Sequence, residues 1–112
     1  MRRTIGIYSA GLLTVLYAAW AQAAEQTVGQ KDKTFVLNGQ PVETLNIAVG
    51  DVVHFKNEDP FFHNVFSLSD IKTFDLGSYP AGQFKSITFD KPGTVDVECA
   101  IHPQMHLTIE VK

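Results

Sequence analysis

The amino-acid sequence predicts an all-β protein: a Greek-key sandwich of two β-sheets preceded by a cleaved signal peptide. Three observations carry that expectation. Segments rich in Val, Ile, Thr and Phe alternate with turn residues at short spacing. No stretch of residues 24–112 shows a helical period long enough to define a helix. The first residues follow a separate pattern that belongs to export rather than to the fold.

That pattern has three parts. Met1-Arg2-Arg3 is positively charged, Ile5–Trp20 is a nearly charge-free apolar run, and Ala21-Gln22-Ala23 supplies small residues where a signal peptidase reads them. The expected division is a signal peptide over residues 1–23 and one domain over residues 24–112. Cleavage after Ala24 is nearly as good a fit. The domain is about 89 residues long, enough for one modest core. It carries 7 Lys and no Arg against 12 acidic residues, a net charge of 7 − 12 = −5. A mildly acidic chain without Arg is a poor nucleic-acid binder and suits a basic partner met by electrostatic steering. No membrane span is expected in the mature chain.

The strands expected in order are Gln26–Gln30, Lys33–Leu37, Thr44–Val49, Asp51–Asn57, Asn64–Ser69, Gln83–Phe89, Thr94–Cys99 and Met105–Val111. Turns fall at Asn38-Gly39, Gly50-Asp51, Pro80-Ala81-Gly82 and Pro92-Gly93. Seven or eight short strands in so few residues indicate a two-sheet sandwich. Residues 74–77 and Tyr79-Pro80 read as a turn-rich crossover between the sheets. Asp70, Asp75 and Asp90 read as solvated loop charges. Alternation assigns directions. Val53 and Phe55 share one face of their strand, and His54 and Lys56 the other. Met105, Leu107, Ile109 and Val111 share an apolar face, with His106 on the polar one.

Chemistry concentrates at one place. Cys99-Ala-Ile-His102-Pro-Gln-Met105 puts a thiolate, an imidazole and a thioether within seven residues, between two strands. His63 opens an earlier strand after the turn-rich Asn57-Glu-Asp-Pro60-Phe-Phe. Two imidazoles and one thiolate in a plane, with a long axial thioether, favour copper. Zinc is chemically possible at the same residues, but structural zinc sites rarely recruit Met. Clustered carboxylates for calcium or magnesium are absent from the sequence around these ligands. Cys99 is the only cysteine. In an exported chain a lone thiol needs a reason, and a metal bond is one.

With Gly50-Asp51-Val-Val-His-Phe55-Lys-Asn57, His63-Asn64-Val65, Pro92-Gly93 and Cys99-x-x-His102-x-x-Met105 in view, the chain resembles the cupredoxins, the blue copper family. The short final loop is similar to that of amicyanins; plastocyanins carry longer ones. The resemblance covers nearly all of residues 24–112. It implies an eight-strand sandwich with a single type 1 copper: His63, Cys99 and His102 as equatorial ligands and Met105 as the weak axial one. It implies that Asn64 ties the two ligand loops together, its backbone N–H aimed at the Cys99 sulfur. Pro103 would stiffen the loop. The implied function is one-electron transfer in the periplasm, by a monomer that is not an enzyme. Its partner would be a redox protein such as a c-type cytochrome or a periplasmic dehydrogenase. Two competing readings are a copper storage or delivery module with the same ligands, and a metal-free interaction domain.

Glu98 departs from the pattern, standing where many members carry an aromatic; alternation puts it opposite Cys99, at the surface. His106 adds a candidate ligand beside Met105, and strand parity points it away. His54 is expected to face solvent. Phe61 and Phe62, with Pro60, Ile101, Pro103 and Met105, are candidates for an apolar collar around the exposed edge of His102. Nucleophilic catalysis by Cys99 has nothing to support it: a metal-held thiolate is not free to attack, and no oxyanion motif accompanies it.

Overall fold

The computed structural model describes residues 23–112, so the leader assigned to residues 1–23 lies outside them apart from Ala23. Ten strands follow in order: β1 (Glu25–Lys31), β2 (Thr34–Leu37), β3 (Gln40–Pro41), β4 (Thr44–Ile47), β5 (Val52–Asn57), β6 (His63–Ser67), β7 (Phe74–Tyr79), β8 (Phe84–Thr88), β9 (Gly93–Cys99) and β10 (His106–Val111). They form two five-stranded sheets, β3-β2-β1-β5-β8 and β4-β10-β9-β6-β7. Both sheets are mixed: β1 runs parallel to β5 and β10 parallel to β4, while the other pairs are antiparallel. The fold is the all-β sandwich of the cupredoxin kind that the sequence predicts. Among the described residues no helix is long and apolar enough to cross a membrane.

Period-two alternation builds the core. Val53 and Phe55 of β5, Val95 and Val97 of β9, and Leu107 and Ile109 of β10 are all fully buried between the sheets. Each such side chain contributes about 1.5–3 kcal/mol by leaving water. The same alternation carries Cys99 onto the core face at the end of β9. Met105 precedes β10 rather than opening it, yet it is buried on the Leu107 side as parity requires.

Two expectations need correcting. Residues 74–79 are not a crossover; they form β7, an edge strand paired with β6. Phe74 packs against Phe55 and Phe89, with ring centroids 6.4 and 6.3 Å apart. The register slips by one residue between Asn64 and Phe66, where Gly77 takes φ 73°, a bulge that bends the strand. Asp75 therefore lies on a strand, not in a loop. The second correction is at Lys33, expected in a strand. Asp32 and Lys33 instead form the β1–β2 turn, with φ of 54° and 57°. Left-handed backbone at two non-glycine residues costs about 1–3 kcal/mol each and needs an outside contact to hold it.

Candidate metal centre

His63 opens β6, Cys99 closes β9, and His102 sits in the turn between β9 and β10. Neighbouring strands β6 and β9, with Val65 opposite Cys99, bring the first two together. The turn is closed by the Met105 N–H donating to the His102 carbonyl at 2.9 Å, which aims the His102 ring back over Cys99. His63 Nδ1 lies 3.6 Å from Cys99 Sγ, His102 Nδ1 lies 3.8 Å from the same sulfur, and the two nitrogens are 3.3 Å apart.

These separations can be tested against a metal. An ion in the plane of the three donors, about 2.0 Å from each nitrogen and about 2.3 Å from the sulfur, puts the nitrogens about 3.5 Å apart and each about 3.7 Å from the sulfur. The observed triangle matches within a few tenths of an ångström. The donors fit.

Each arm of the triangle is held by different contacts. The Asn64 backbone N–H points at Cys99 Sγ, 3.4 Å away, as the resemblance implies. Such a donor stabilises negative charge on the sulfur. The Asn64 side chain goes elsewhere: Nδ2 donates to Asp75 Oδ1 at 3.2 Å, so it braces β6 against β7 rather than linking the two ligand loops. His63 is fully buried, and its Nε2 lies 2.7 Å from Asp59 Oδ2, itself 3% exposed. A carboxylate can only accept, so Nε2 carries the proton and Nδ1 presents its lone pair to the site.

Asp59 serves more than His63. Its Oδ1 accepts from the Asp32 N–H at 2.6 Å and its Oδ2 from the Lys33 N–H at 3.1 Å. The contact that the left-handed turn needs is therefore the same carboxylate that orients the ligand. Burial pushes the Asp59 carboxyl up, but the hydrogen bonds from His63, Lys33 and Asp32 outweigh it and hold its pKa below the usual value. Asn57 fixes the loop: its Oδ1 accepts from the Asp59 N–H at 2.8 Å, and its Nδ2 donates to the carbonyls of Phe61 and Tyr79 at 2.7 and 3.0 Å.

His102 is half-buried. Burial first, then the proximity of His63 and Lys33, lower its pKa, so the His102 imidazole is neutral at neutral pH and able to donate a lone pair. The Phe61 ring packs on both imidazoles, its centroid 5.4 Å from His63 and 5.2 Å from His102. Lys33 Nζ lies 5.5 Å from the centre of the same Phe61 ring. Phe62 and Ile101, the chain neighbours of His63 and His102, are 54% and 48% exposed. Met105 does not belong to the surface collar, because it is 1% exposed. Pro103 lies in the exposed turn after His102.

The remaining histidines stand apart. His106 faces outward, 3.4 Å from Asp96 Oδ1. His54 is on the other sheet, bonded to Glu25 at 2.7 Å and Ser86 at 2.5 Å. Glu98 is half-buried on the face opposite Cys99. Sequence reasoning missed Asp59, which looked like an ordinary turn residue four positions before His63.

A thiolate and two imidazoles at these distances, on a two-sheet sandwich of this topology, make the chain cupredoxin-like, with a group that fits a single type 1 copper. Solved structures agree. A reduced Trp-to-Tyr mutant of amicyanin is 26% identical, with TM-score 0.69 over 85% of this chain and 88% of that one. An oxidised Pro-to-Ala mutant of amicyanin gives the same identity, score and coverage. The copper-containing nitrite reductase of Thermus scotoductus SA-01 is 28% identical, with TM-score 0.70 over 82% of this chain. The chain spans only 23% of that enzyme's length. No family model and no curated protein sequence matches the chain. Fold and site together support a copper electron carrier.

Proposed function

We propose that the mature chain is a periplasmic, monomeric electron carrier and not an enzyme, holding one copper with His63, Cys99, His102 and Met105. The observation that carries this reading is the donor triangle, already at metal-binding separations with one imidazole tautomer fixed by a buried carboxylate. Copper, when bound, would supply a one-electron couple between Cu(I) and Cu(II).

The chain's own residues do the rest. Asp59 fixes the His63 ring, so the ring need not reorient between oxidation states. The Asn64 N–H balances charge on the Cys99 sulfur. Met105 stays buried in the same core cluster as Cys99 and Leu107, away from water. The half-buried His102 edge, beside exposed Phe62 and Ile101, is the route for the electron to a redox protein such as a c-type cytochrome or a periplasmic dehydrogenase. Small apolar patches of this kind suit weak, short-lived redox encounters.

The test is the visible and electron paramagnetic resonance spectrum of the copper-loaded mature protein. The expected result is an intense thiolate-to-copper band that disappears in Cys99→Ser. A colourless protein whose thermal stability ignores added copper would sink the reading, because binding to the native state must stabilise it. Fast electron self-exchange supports transfer; release of Cu(I) to a chelating partner without electron exchange supports delivery instead.

A further inference from the structure

Asp51 closes the turn from Ala48 into β5 and is only 7% exposed. Among the described residues it has no charged partner. Its carboxylate accepts from two backbone donors, the Ala48 N–H to Oδ2 and the Ala24 N–H to Oδ1, each at 2.9 Å. Its own backbone is committed as well: the Asp51 N–H donates to the Ala48 carbonyl, and the Asp51 carbonyl accepts from Phe89. The two backbone donors to its carboxylate lower the Asp51 pKa, so the group is charged at neutral pH. Both contacts to this carboxylate are neutral N–H donors, so a cation at either position would add a charge-assisted bond.

Ala24 is engaged at both ends. Its nitrogen reaches Asp51, and its carbonyl accepts from the Val52 N–H at 2.9 Å, the first rung between β1 and β5. It is also the residue immediately after Ala21-Gln22-Ala23. Hydrolysis of the Ala23–Ala24 bond by a leader peptidase adds water across that amide. Ala23 leaves with a carboxyl group, and Ala24 keeps an amine that is protonated at neutral pH. The nitrogen next to Asp51 would change from a neutral donor with one N–H to a cation with three.

We propose that the mature chain begins at Ala24 and that its new α-ammonium pairs with Asp51, so that removing the leader completes the lock joining β1 to the β4–β5 turn. This rests on the export reading above. The neighbouring bond, Ala24–Glu25, fits the contacts badly: cutting there removes both the donor to Asp51 and the acceptor for Val52. It also puts Gln22 rather than Ala21 three residues before the cut.

The mass of the protein secreted from cells given the full chain locates the cut. Two purified chains, one starting at Ala24 and one at Ala23, then test the pair. The Ala24 chain should melt on the order of 4 °C higher, since a charge-assisted bond replaces a neutral one. The gap should close in Asp51→Asn. If that variant does not fold, acetylation of the Ala24 amine should close it equally. Equal melting temperatures, or a secreted chain beginning at Glu25, overturn the inference while leaving export intact. A chain that keeps its leader overturns the export reading itself, and the melting comparison still decides whether the ion pair forms.

Discussion

The two imidazoles of the site are built on opposite principles. His63 is fully buried at the start of a strand, with its far nitrogen bound to a carboxylate that also holds the β1–β2 turn. His102 rides a four-residue turn between strands, half-buried, and among the described residues no hydrogen bond holds its far nitrogen. The first ligand is fixed by tertiary contacts made between protein groups alone. The second is positioned by one backbone bond, the stiffness of Pro103 and the Phe61 ring. The arrangement teaches a division of labour. The buried side sets geometry, and the turn side leaves an edge through which an electron can pass.

That asymmetry can be broken most severely at His63. Replacing it with Ala leaves the Asp59 carboxylate buried beside a cavity and without its charge-assisted partner. The metal-free protein should lose about 3 kcal/mol of unfolding free energy, read as a lower urea midpoint. The same change at His102 removes a half-buried ring with no outside partner and should cost about 1 kcal/mol or less. Both should abolish the copper band. Equal costs in the metal-free protein would mean that the two arms are supported alike.

Asp59 comes next. Asp59→Ala strands the Asp32 and Lys33 N–H groups in a left-handed turn, together with His63 Nε2–H. The expected loss is about 2–3 kcal/mol, with copper affinity falling roughly 10–100-fold. Asp59→Asn keeps one acceptor oxygen and should recover part of the stability. The pH dependence follows the same carboxylate. Its folded pKa is lowered, so its contribution is complete above the unfolded carboxylate value of about 3.9 and is lost as pH falls through the folded value. Urea unfolding at successive acid pH values should show a smaller loss in Asp59→Ala than in the wild type, the remainder coming from Asp51, whose pKa is also lowered.

His102 titrates earlier and with a different origin. Burial lowers its folded pKa, so below the unfolded histidine value of about 6.5 the unfolded chain binds more protons and the metal-free protein weakens. The weakening should level off once pH has passed the folded value. His102→Ala should flatten the profile between neutral pH and that point.

The parts of the molecule that alternate were legible in the sequence. Parity along β9 and β10 put Cys99 and Met105 inward and His106 outward, and each stands there. The parts that depend on distant partners were not. β7 carries Asp75 and Gly77 and a one-residue bulge, so its burial never settles into a period of two and the segment reads as a turn. Asp59 looks like a turn acid because its meaning comes from Asp32, 27 residues earlier, folding back over it. The Asn64 side chain follows the same rule: Asp75 reads as a loop charge, so nothing in the sequence offers it as a partner.

The smallest expected effect tests the turn side from just outside it. His106 follows Met105, and a ligand shift by one residue would exchange a buried thioether for an exposed imidazole. Among the described residues its only charged contact is an exposed pairing with Asp96, 3.4 Å away and salt-screened. His106→Ala should therefore change stability by about 0.5 kcal/mol or less and leave the copper spectrum unaltered. Met105→Ala, made beside it, removes a buried core side chain and should cost about 2–5 kcal/mol while shifting the spectrum. A spectral shift in His106→Ala with none in Met105→Ala would place the fourth ligand on the solvent face of β10, and the turn would then present its metal to water as well as to a partner.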